Sequence, residues 1–280
     1  MDKIKVLVVD DSSFMRKVIS QMLEESREIE VIGTAKDGNE ALKKLRELKP
    51  DVVTLDVEMP RLNGLQTLGY IMSEAPTPVI MVSAYTPKGA EITFQALEYG
   101  AFDFVCKPSG SISIDIKKIQ SELVDKIKAA KMVDPSKLVF ITPANIEKAK
   151  YEKKQEIEED IMVVIAASTG GPKALSDIVP RIPRDIPASF LIVQHMSPGF
   201  TKTLADRLND QSIIIVKEAA QDDVIKTGTA YLAPGNYHME IKENGNKEYC
   251  IDLNQKPFRS GVRPSADMTF FSVWKISRAG

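Results

Sequence analysis

The sequence predicts an α/β protein with two domains, each built around a parallel sheet. Three observations support this prediction. Short β-rich runs alternate with segments of helical periodicity along most of the chain. A length of 280 residues provides for two cores, since one domain takes roughly 150 residues. A stretch rich in lysines and acids, residues 145–160, interrupts the alternation and is typical of a solvated linker.

The first domain contains five predicted strand–helix units. Its predicted strands are short apolar runs, at residues 5–9, 31–35, 51–55, 79–82 and 102–105. Apolar residues at helical spacing follow the first two strands, and further helices fit between the others and after the last, up to about Lys131. Five such units predict a doubly wound parallel sheet whose functional site lies at the carboxyl ends of the strands.

Strand–helix alternation resumes at Ile161 and predicts a second, smaller doubly wound α/β domain. Its predicted strands share the same apolar character, at residues 161–166, 189–194, 213–216 and 229–233. Helices are expected from Pro172 and over about 201–209, and Asn244-Gly245 predicts a hairpin turn. We therefore predict domains at 1–125 and 160–280, joined by a linker at 126–159.

Composition and charge exclude several function classes. A formal net charge of −2 gives no electrostatic basis for coating nucleic acid, and the second half lacks a basic recognition helix. The longest apolar runs, such as residues 161–167, are far too short to span a membrane. Cys106 and Cys250 form no ligand or redox spacing and suit a reducing compartment. We expect a cytoplasmic protein with no membrane insertion.

Polar residues follow four of the five predicted strands in the first domain. Asp10 and Asp11 come after the first strand, Asp56 after the third, Ser83 after the fourth and Lys107 after the fifth. Because the carboxyl ends of parallel strands meet at one edge, these side chains should converge. Three clustered carboxylates need a cation, and Mg²⁺ prefers oxygen ligands. Any one of these aspartates alone would more simply be a solvated loop acid.

The same segments resemble the two-component receiver domain over residues 1 to about 125. The matching motifs occur in the family's order, at residues 8–12, 51–60, 82–84 and 105–108. The resemblance implies that Asp56 is the phosphoacceptor. It also implies that Asp10, Asp11, Asp56 and the backbone carbonyl of Glu58 hold Mg²⁺ for phosphorylation.

The receiver resemblance further implies roles at the ends of the fourth and fifth strands. Ser83 and Lys107 would contact the phosphoryl group, and Phe104 would occupy the place of the switching aromatic residue. An aromatic residue in a strand is more often part of the core than a switch, so both interpretations of Phe104 remain open.

A serine and a histidine stand at the ends of the first two strands of the second domain. Ser168 precedes Gly170-Gly171-Pro172 at a helix entry, and His195 follows the next predicted strand. If the two strands are neighbours about 4.8 Å apart, a Ser–His hydrogen bond is within reach. Ser168 taken alone is more typical of a helix N-cap, and a lone histidine is usually structural.

These segments resemble the catalytic domain of the chemotaxis-specific protein-glutamate methylesterase family. The matching motifs are at residues 167–172, 193–196, 231–235 and 263–267. The resemblance implies a serine hydrolase in which Ser168 is the nucleophile and His195 the general base, with no cofactor for the esterase step. It also implies that the unphosphorylated receiver covers the hydrolase site.

The combined resemblance implies a response regulator of a chemotaxis two-component system. Such a phosphoprotein hydrolyses glutamate methyl esters on methyl-accepting chemoreceptors, releases methanol, and deamidates receptor glutamines as a second activity. Its phosphodonor is the chemotaxis histidine kinase. Nucleic acid is not expected as a partner.

One departure from the family pattern leads to a second hypothesis. The family carries a later Gly-Met-Gly-x-Asp-Gly segment that supplies the histidine's aspartate partner, and this sequence contains no such motif. Asp267 is more simply a loop acid than a substitute. We therefore expect a truncated or divergent second domain with weak or absent esterase activity. The alternative function is a catalytically impaired, phosphorylation-controlled binding protein.

Overall fold

The computed structural model describes residues 2–84, 86–107, 114–134, 161–245 and 248–278. It divides into two compact units, Met1–Ala144 and Asn145–Gly280. Most of the predicted linker, residues 135–159, lies outside the described residues. Within those residues, no helix has both the length and the hydropathy needed to cross a membrane.

The first unit contains a five-stranded parallel sheet. Its strands are β1 (Ile4–Val9), β2 (Ile29–Ala35), β3 (Val52–Asp56), β4 (Val79–Ser83) and β5 (Asp103–Cys106). Its helices are α1 (Ser13–Glu24), α2 (Gly38–Leu48), α3 (Gly64–Glu74), α4 (Pro87–Glu98) and α5 (Ile114–Lys131). The strand order β2-β1-β3-β4-β5, with every neighbouring pair parallel, is a doubly wound order and confirms the predicted fold.

Local sequence explains where these helices begin. Ser12 precedes α1 and its Oγ accepts from the Met15 N–H at 3.3 Å. Asp37 caps α2, and Asn63 forms a capping box with Gln66 at the start of α3. Each cap satisfies backbone N–H groups that a helix leaves unpaired. The caps fix the points at which the chain leaves the sheet edge.

The last helix of this unit extends beyond the predicted boundary at residue 125. α5 continues to Lys131, and its Ile127 and Ala130 are fully buried in the core together with β-strand residues such as Val6 and Val105. Residues 126–131, which the domain bounds assign to the linker, are therefore helical, in agreement with the prediction of helix up to about Lys131. The apolar spacing across this boundary explains the difference, because burying Ile127 and Ala130 stabilises the final turns.

The second unit contains a four-stranded parallel sheet. Its strands are β6 (Ile161–Ala167), β7 (Ala188–Gln194), β8 (Ile215–Glu218) and β9 (Thr229–Leu232), in the order β6-β7-β9-β8. The helices α6 (Gly171–Ile178) and α7 (Phe200–Gln211) follow β6 and β7. All three strand pairs are parallel, so the prediction of a parallel α/β sheet is confirmed here too.

An antiparallel hairpin and a final helix complete the second unit. β10 (His238–Glu243) and β11 (Tyr249–Asn254) pair up to Glu243 opposite Tyr249. The hairpin predicted at Asn244-Gly245 is thus present, with a connection longer than a two-residue turn. The helix α8 (Ala266–Ser277) was not predicted by the sequence pattern, and it packs against β10.

Candidate functional sites

The first candidate site lies at the carboxyl edge of the first sheet. Asp10 follows β1 and Asp56 ends β3, the two strands between which the strand order reverses. Both carboxyl groups are buried, whereas Asp11 is exposed. Ligand oxygens of these three residues all lie within 4.8 Å of one another. The structure therefore brings together the three acids that the sequence predicts to be neighbours.

Lys107 supplies positive charge to this acidic cluster. Its Nζ lies 2.9 Å from Asp10 Oδ2 and 2.8 Å from Asp56 Oδ2. Its backbone N–H donates to the Ser83 carbonyl at 2.7 Å, which joins the ends of β5 and β4. Ser83 is itself buried at the end of β4. All the strand-end residues of the predicted site thus meet at one edge.

Burial determines how Asp56 ionises. Desolvation raises the pKa of Asp56 from 3.8 to about 6, although the hydrogen bond and the charge of Lys107 act in the opposite direction. Burial also lowers the pKa of Lys107, but hydrogen bonds and charges from Asp56 and Asp10 outweigh that effect and raise its pKa. The Lys107 ammonium group therefore stays charged, while the Asp56 carboxyl group gains or loses its proton at a pH of about 6.

The acidic cluster has the donor set that a hard divalent cation prefers. Oδ2 of Asp10 and Oδ2 of Asp56 are buried, and apart from the ion pair with Lys107 neither accepts a well-formed hydrogen bond from the described residues. Carboxylate oxygens with coordinated water are typical Mg²⁺ ligands. These residues could therefore hold a metal. The N–H of Glu58 donates to Asp56 Oδ1 at 3.3 Å, and ligation by its carbonyl stays a prediction.

Asp56 should make the metal-free protein less stable as the pH rises. Because its folded pKa of about 6 exceeds 3.8, the native state holds this proton more tightly than the unfolded chain does. The associated stability is complete below pH 3.8 and is lost as the pH rises through 6, for a total of about 3 kcal/mol. Urea unfolding in EDTA from pH 4 to 8 should show this decline, and Asp56→Asn should reduce it.

Asp51→Asn is the matched control for that pH dependence. Asp51 lies at the opposite end of β3, and Lys131 and the Lys5 N–H outweigh burial and lower its pKa. Its contribution to stability is therefore present above pH 3.8 and lost as the pH falls. A decline between pH 4 and 8 that is the same in Asp56→Asn as in the unaltered chain would contradict the assignment to Asp56. Mg²⁺ should restore stability at pH 8, and Asp10→Asn should weaken that effect.

Phe104 lies in the core, between α4 and α5. Only 4% of its surface is exposed, and its ring packs edge-on against Phe94 with centroids 5.9 Å apart. Lys126 Nζ lies 5.1 Å from the centroid of the Phe104 ring and donates to the Phe104 carbonyl at 2.5 Å. This ring position agrees with the core interpretation, and the switching role remains a prediction.

Replacing Lys126 with methionine should strongly destabilise the first unit. Lys126 Nζ pairs with buried Asp103 at 3.1 Å and with Glu122 at 2.9 Å. Removing one partner of a buried ion pair leaves an uncompensated charge, which costs about 3–5 kcal/mol. Urea unfolding followed by circular dichroism measures the loss. The chain's single tryptophan, Trp274 in α8, reports the second unit separately by fluorescence.

Lys128→Met is the control for that substitution. Lys128 is on the same helix, and its ion pair with Glu28 is solvent-exposed on both sides. Exposed pairs contribute at most about 1 kcal/mol. Equal losses of unfolding free energy in the two variants would contradict the explanation that the effect of Lys126 comes from its burial.

The second candidate site is a serine–histidine pair at the edge of the second sheet. His195 Nδ1 lies 3.2 Å from Ser168 Oγ. Ser168 is exposed and His195 is partly buried, so a substrate can approach the hydroxyl from solvent. At this distance an unprotonated Nδ1 can accept the hydroxyl proton, which is the geometry of an activated serine nucleophile.

The strand register explains how these two residues meet. β6 and β7 are neighbouring parallel strands in which Ala167 pairs with Gln194, and the His195 N–H donates to the Ala167 carbonyl at 3.2 Å. Ser168 and His195 therefore leave adjacent strands side by side. The alternative in which Ser168 caps a helix is wrong. The N-cap of α6 is Gly170 at φ 72°, with no side-chain cap.

Both regions of the chain match known families. Residues 6–117 match the family described as "Response regulator receiver domain", and residues 163–279 match "CheB methylesterase". A "Protein-glutamate methylesterase/protein-glutamine glutaminase" from Pyrococcus abyssi (strain GE5 / Orsay) is 52% identical, over 98% of this chain and 74% of the relative. The chain belongs to this methylesterase/glutaminase family. The Thermotoga maritima relative of the same name is 46% identical, over 99% of this chain and 79% of its own.

Two solved structures from Thermotoga maritima resemble the two halves of this methylesterase/glutaminase family member. The response regulator domain of CheB is 53% identical, with a TM-score of 0.44, and matches 48% of this chain and 99% of its own. The CheB methylesterase catalytic domain is 41% identical, with a TM-score of 0.41, and matches 42% of this chain and 62% of its own.

Asp267 lies in the first turn of α8, where the methylesterase motif at residues 263–267 ends. Its carboxylate is half-exposed and forms a long ion pair with Arg259, at 3.7 Å. An exposed acid at a helix N-terminus interacts favourably with the helix dipole without any catalytic role. The expectation that Asp267 is not the third member of a triad agrees with this placement.

Sequence reasoning gave no role to two buried polar residues that contact the candidate sites. Lys126 holds the backbone and ring of Phe104, as described above. Gln194 lies directly before His195, and its side-chain amide contacts the backbone of both Ser168 and His195. The available signal for Gln194 was a polar residue at the end of a mostly apolar strand, where an amide without a hydrogen-bond partner is costly.

Proposed function

We propose that this chain is a phosphorylation-regulated hydrolase of chemotaxis adaptation. It hydrolyses glutamate methyl esters on chemoreceptors, releases methanol, and deamidates receptor glutamines. The observation that carries this proposal is the 3.2 Å contact between Ser168 Oγ and His195 Nδ1 in a chain of the methylesterase/glutaminase family. The carboxylate cluster of the other unit supports the regulatory part.

The Ser–His pair accounts for both hydrolytic reactions. Ser168 Oγ attacks the carbonyl carbon while its proton passes to His195 Nδ1. The bond to the methoxy or amino group then breaks, and the imidazolium returns the proton to give methanol or ammonia. Water, activated by the same imidazole, attacks the acyl-serine and releases the glutamate carboxylate.

The acidic cluster accounts for regulation in this proposal. Asp56 accepts a phosphoryl group, and Lys107 and Ser83 bind its oxygens. Mg²⁺ held by Asp10, Asp11, Asp56 and the Glu58 carbonyl would offset the phosphoryl charge when bound. Loss of the Lys107–Asp56 ion pair on phosphorylation would change the contacts at the carboxyl end of β5, the strand that also carries Phe104. We assign Phe104 the role of the switching aromatic residue, whose ring position would change with the phosphorylation state of Asp56.

The proposal also specifies domains and partners. The receiver function belongs to residues 1–125, extended by α5 to Lys131, and the hydrolytic function to residues 160–280. Residues 132–159 connect them as a linker. The phosphodonor is a chemotaxis histidine kinase, the substrates are methyl-accepting chemoreceptors, and the protein acts in the cytoplasm.

Methanol release from a chemoreceptor with labelled methyl esters tests the proposal. The assay uses the full chain at high enzyme concentration, with and without a small phosphodonor and Mg²⁺. We expect release in both conditions and faster release with the phosphodonor. Equal rates would contradict regulation by Asp56, and receptor binding without any release would favour the non-enzymatic alternative.

A further inference from the structure

A buried amide joins the two residues of the hydrolytic pair. Gln194 ends β7 with 2% of its surface exposed, and it is the register partner of Ala167 at the end of β6. Its Nε2 donates to the Ser168 carbonyl at 3.0 Å and to the His195 carbonyl at 3.1 Å. One side-chain amide therefore links the backbones of two residues that lie on different strands.

The contacts determine the orientation of this amide. Amide oxygen and nitrogen atoms are distinguished by their hydrogen-bond partners. The reverse orientation of Gln194 would place its oxygen against the carbonyl oxygens of Ser168 and His195, which repel it. With the nitrogen facing them, both carbonyls have a donor. The remaining Oε1 then has no hydrogen-bond partner among the described residues.

Gly171 provides the space that Oε1 occupies. A Cβ added at Gly171, the first residue of α6, would lie 1.9 Å from Gln194 Oε1. Any larger residue at position 171 must therefore displace the Gln194 amide. The amide is thus confined by the ends of β6 and β7 and by the start of α6.

We infer that Gln194 is a positioning residue, which holds Ser168 and His195 at the spacing that their side-chain contact requires. The Ser168 carbonyl also accepts the Gly171 N–H at 2.8 Å, so Ser168 keeps one restraint if the amide is lost. His195 likewise keeps the bond from its N–H to the Ala167 carbonyl, at 3.2 Å, so the amide is the restraint that links the two residues to each other. The catalytic consequence rests on the proposed hydrolase function, whereas the structural consequence for the Ser–His contact does not.

Nuclear magnetic resonance of the full chain tests the positioning role directly. The chain has only two histidines, so the ring signals of His195 and His238 are readily assigned. Ser168→Ala gives the ¹⁵N shift of His195 Nδ1 without the serine contact. In Gln194→Met we expect that shift to move most of the way to the Ser168→Ala value. Gly171→Ala should move it in the same direction.

A serine-directed fluorophosphonate probe gives a second measurement of the same geometry. We expect Gln194→Met to label Ser168 about 10²-fold more slowly, because misplacing reacting groups by about 1 Å costs that much. Gln221→Met is the matched control. It also removes a glutamine hydrogen bond in the second unit, to the Leu253 N–H in β11, and should leave both measurements unchanged.

Unaltered His195 shifts and labelling within twofold in both Gln194→Met and Gly171→Ala would overturn the inference. Trp274 fluorescence shows whether each variant folds. If Gln194→Met does not fold, Gly171→Ala alone provides the test. Failure of the hydrolase proposal has a different signature. In that case Ser168→Ala leaves methanol release unchanged, whatever the His195 shift does in the Gln194 variant.

Discussion

Ser168→Ala is expected to lower methanol release by at least about 10²-fold. The substitution removes the hydroxyl oxygen that lies 3.2 Å from His195 Nδ1. In a complete serine triad, loss of the nucleophile lowers kcat by about 10⁶-fold and loss of the aspartate alone by about 10⁴-fold. About 10²-fold is therefore left for Ser168 in a chain without the aspartate segment. Single-turnover release from a labelled receptor at high enzyme concentration measures the loss.

Ser176→Ala is the control for the nucleophile. Ser176 is in α6, and its Oγ donates to the Pro172 carbonyl at 2.9 Å. Removing it should change methanol release by less than a factor of two to three, because its hydroxyl is engaged within its own helix. Continued methanol release by the Ser168 variant at the unaltered rate would show that another group performs the attack.

Asp56→Asn should abolish both phosphoryl incorporation and the response to the phosphodonor. An amide cannot form the acyl phosphate, and the proposal assigns the other carboxylates of the cluster, Asp10 and Asp11, to Mg²⁺. Intact-mass measurement after incubation with a small phosphodonor and Mg²⁺ detects the added phosphoryl group. Methanol release should then be the same with and without the phosphodonor.

Asp51→Asn is again the matched control, now for phosphorylation. Asp51 is an acid adjoining the same strand but at its opposite end, where it pairs with Lys131. This variant should accept one phosphoryl group as the unaltered chain does. Incorporation by Asp56→Asn, or loss of incorporation in Asp51→Asn, would contradict the assignment of the phosphoacceptor.

The sheets and the placement of both sites could be predicted because they depend on pattern alone. Apolar strands of parallel sheets are continuous runs, and their carboxyl ends share an edge. This was enough to bring Asp10, Asp56 and Lys107 together. The same logic placed Ser168 beside His195, since a single α-helix separates the two strands that carry them.

Other features depend on three-dimensional packing that no local pattern shows. The choice between a helix cap and a nucleophile at Ser168 was open because both need a small polar residue before a helix. The structure excludes the cap, because Gly170 at positive φ takes the capping position, and the nucleophile stays a prediction. The raised pKa of Asp56 follows from burial among strands distant in sequence, and so could not be predicted.

Boundaries and buried polar contacts were the least predictable. The sequence pattern predicts helix up to about Lys131, but the predicted domain boundary at residue 125 falls inside α5, because Ile127 and Ala130 complete the first core. α8 was missed because its apolar residues do not form a simple stripe. Phe270, Phe271 and Trp274 lie on its exposed surface, while the polar residues Thr269 and Ser272 are buried. Gln194 likewise acts through backbone carbonyls, whose positions only the fold defines.

A fluorophosphonate probe tests most directly whether a phosphoryl-accepting unit controls a serine hydrolase in this chain. The full chain is labelled with and without a phosphodonor and Mg²⁺, and the adduct is located by mass spectrometry. We predict a single adduct on Ser168 that forms faster with the phosphodonor and does not accelerate in Asp56→Asn. An adduct on another residue, or the same labelling rate with and without the phosphodonor, would contradict the account.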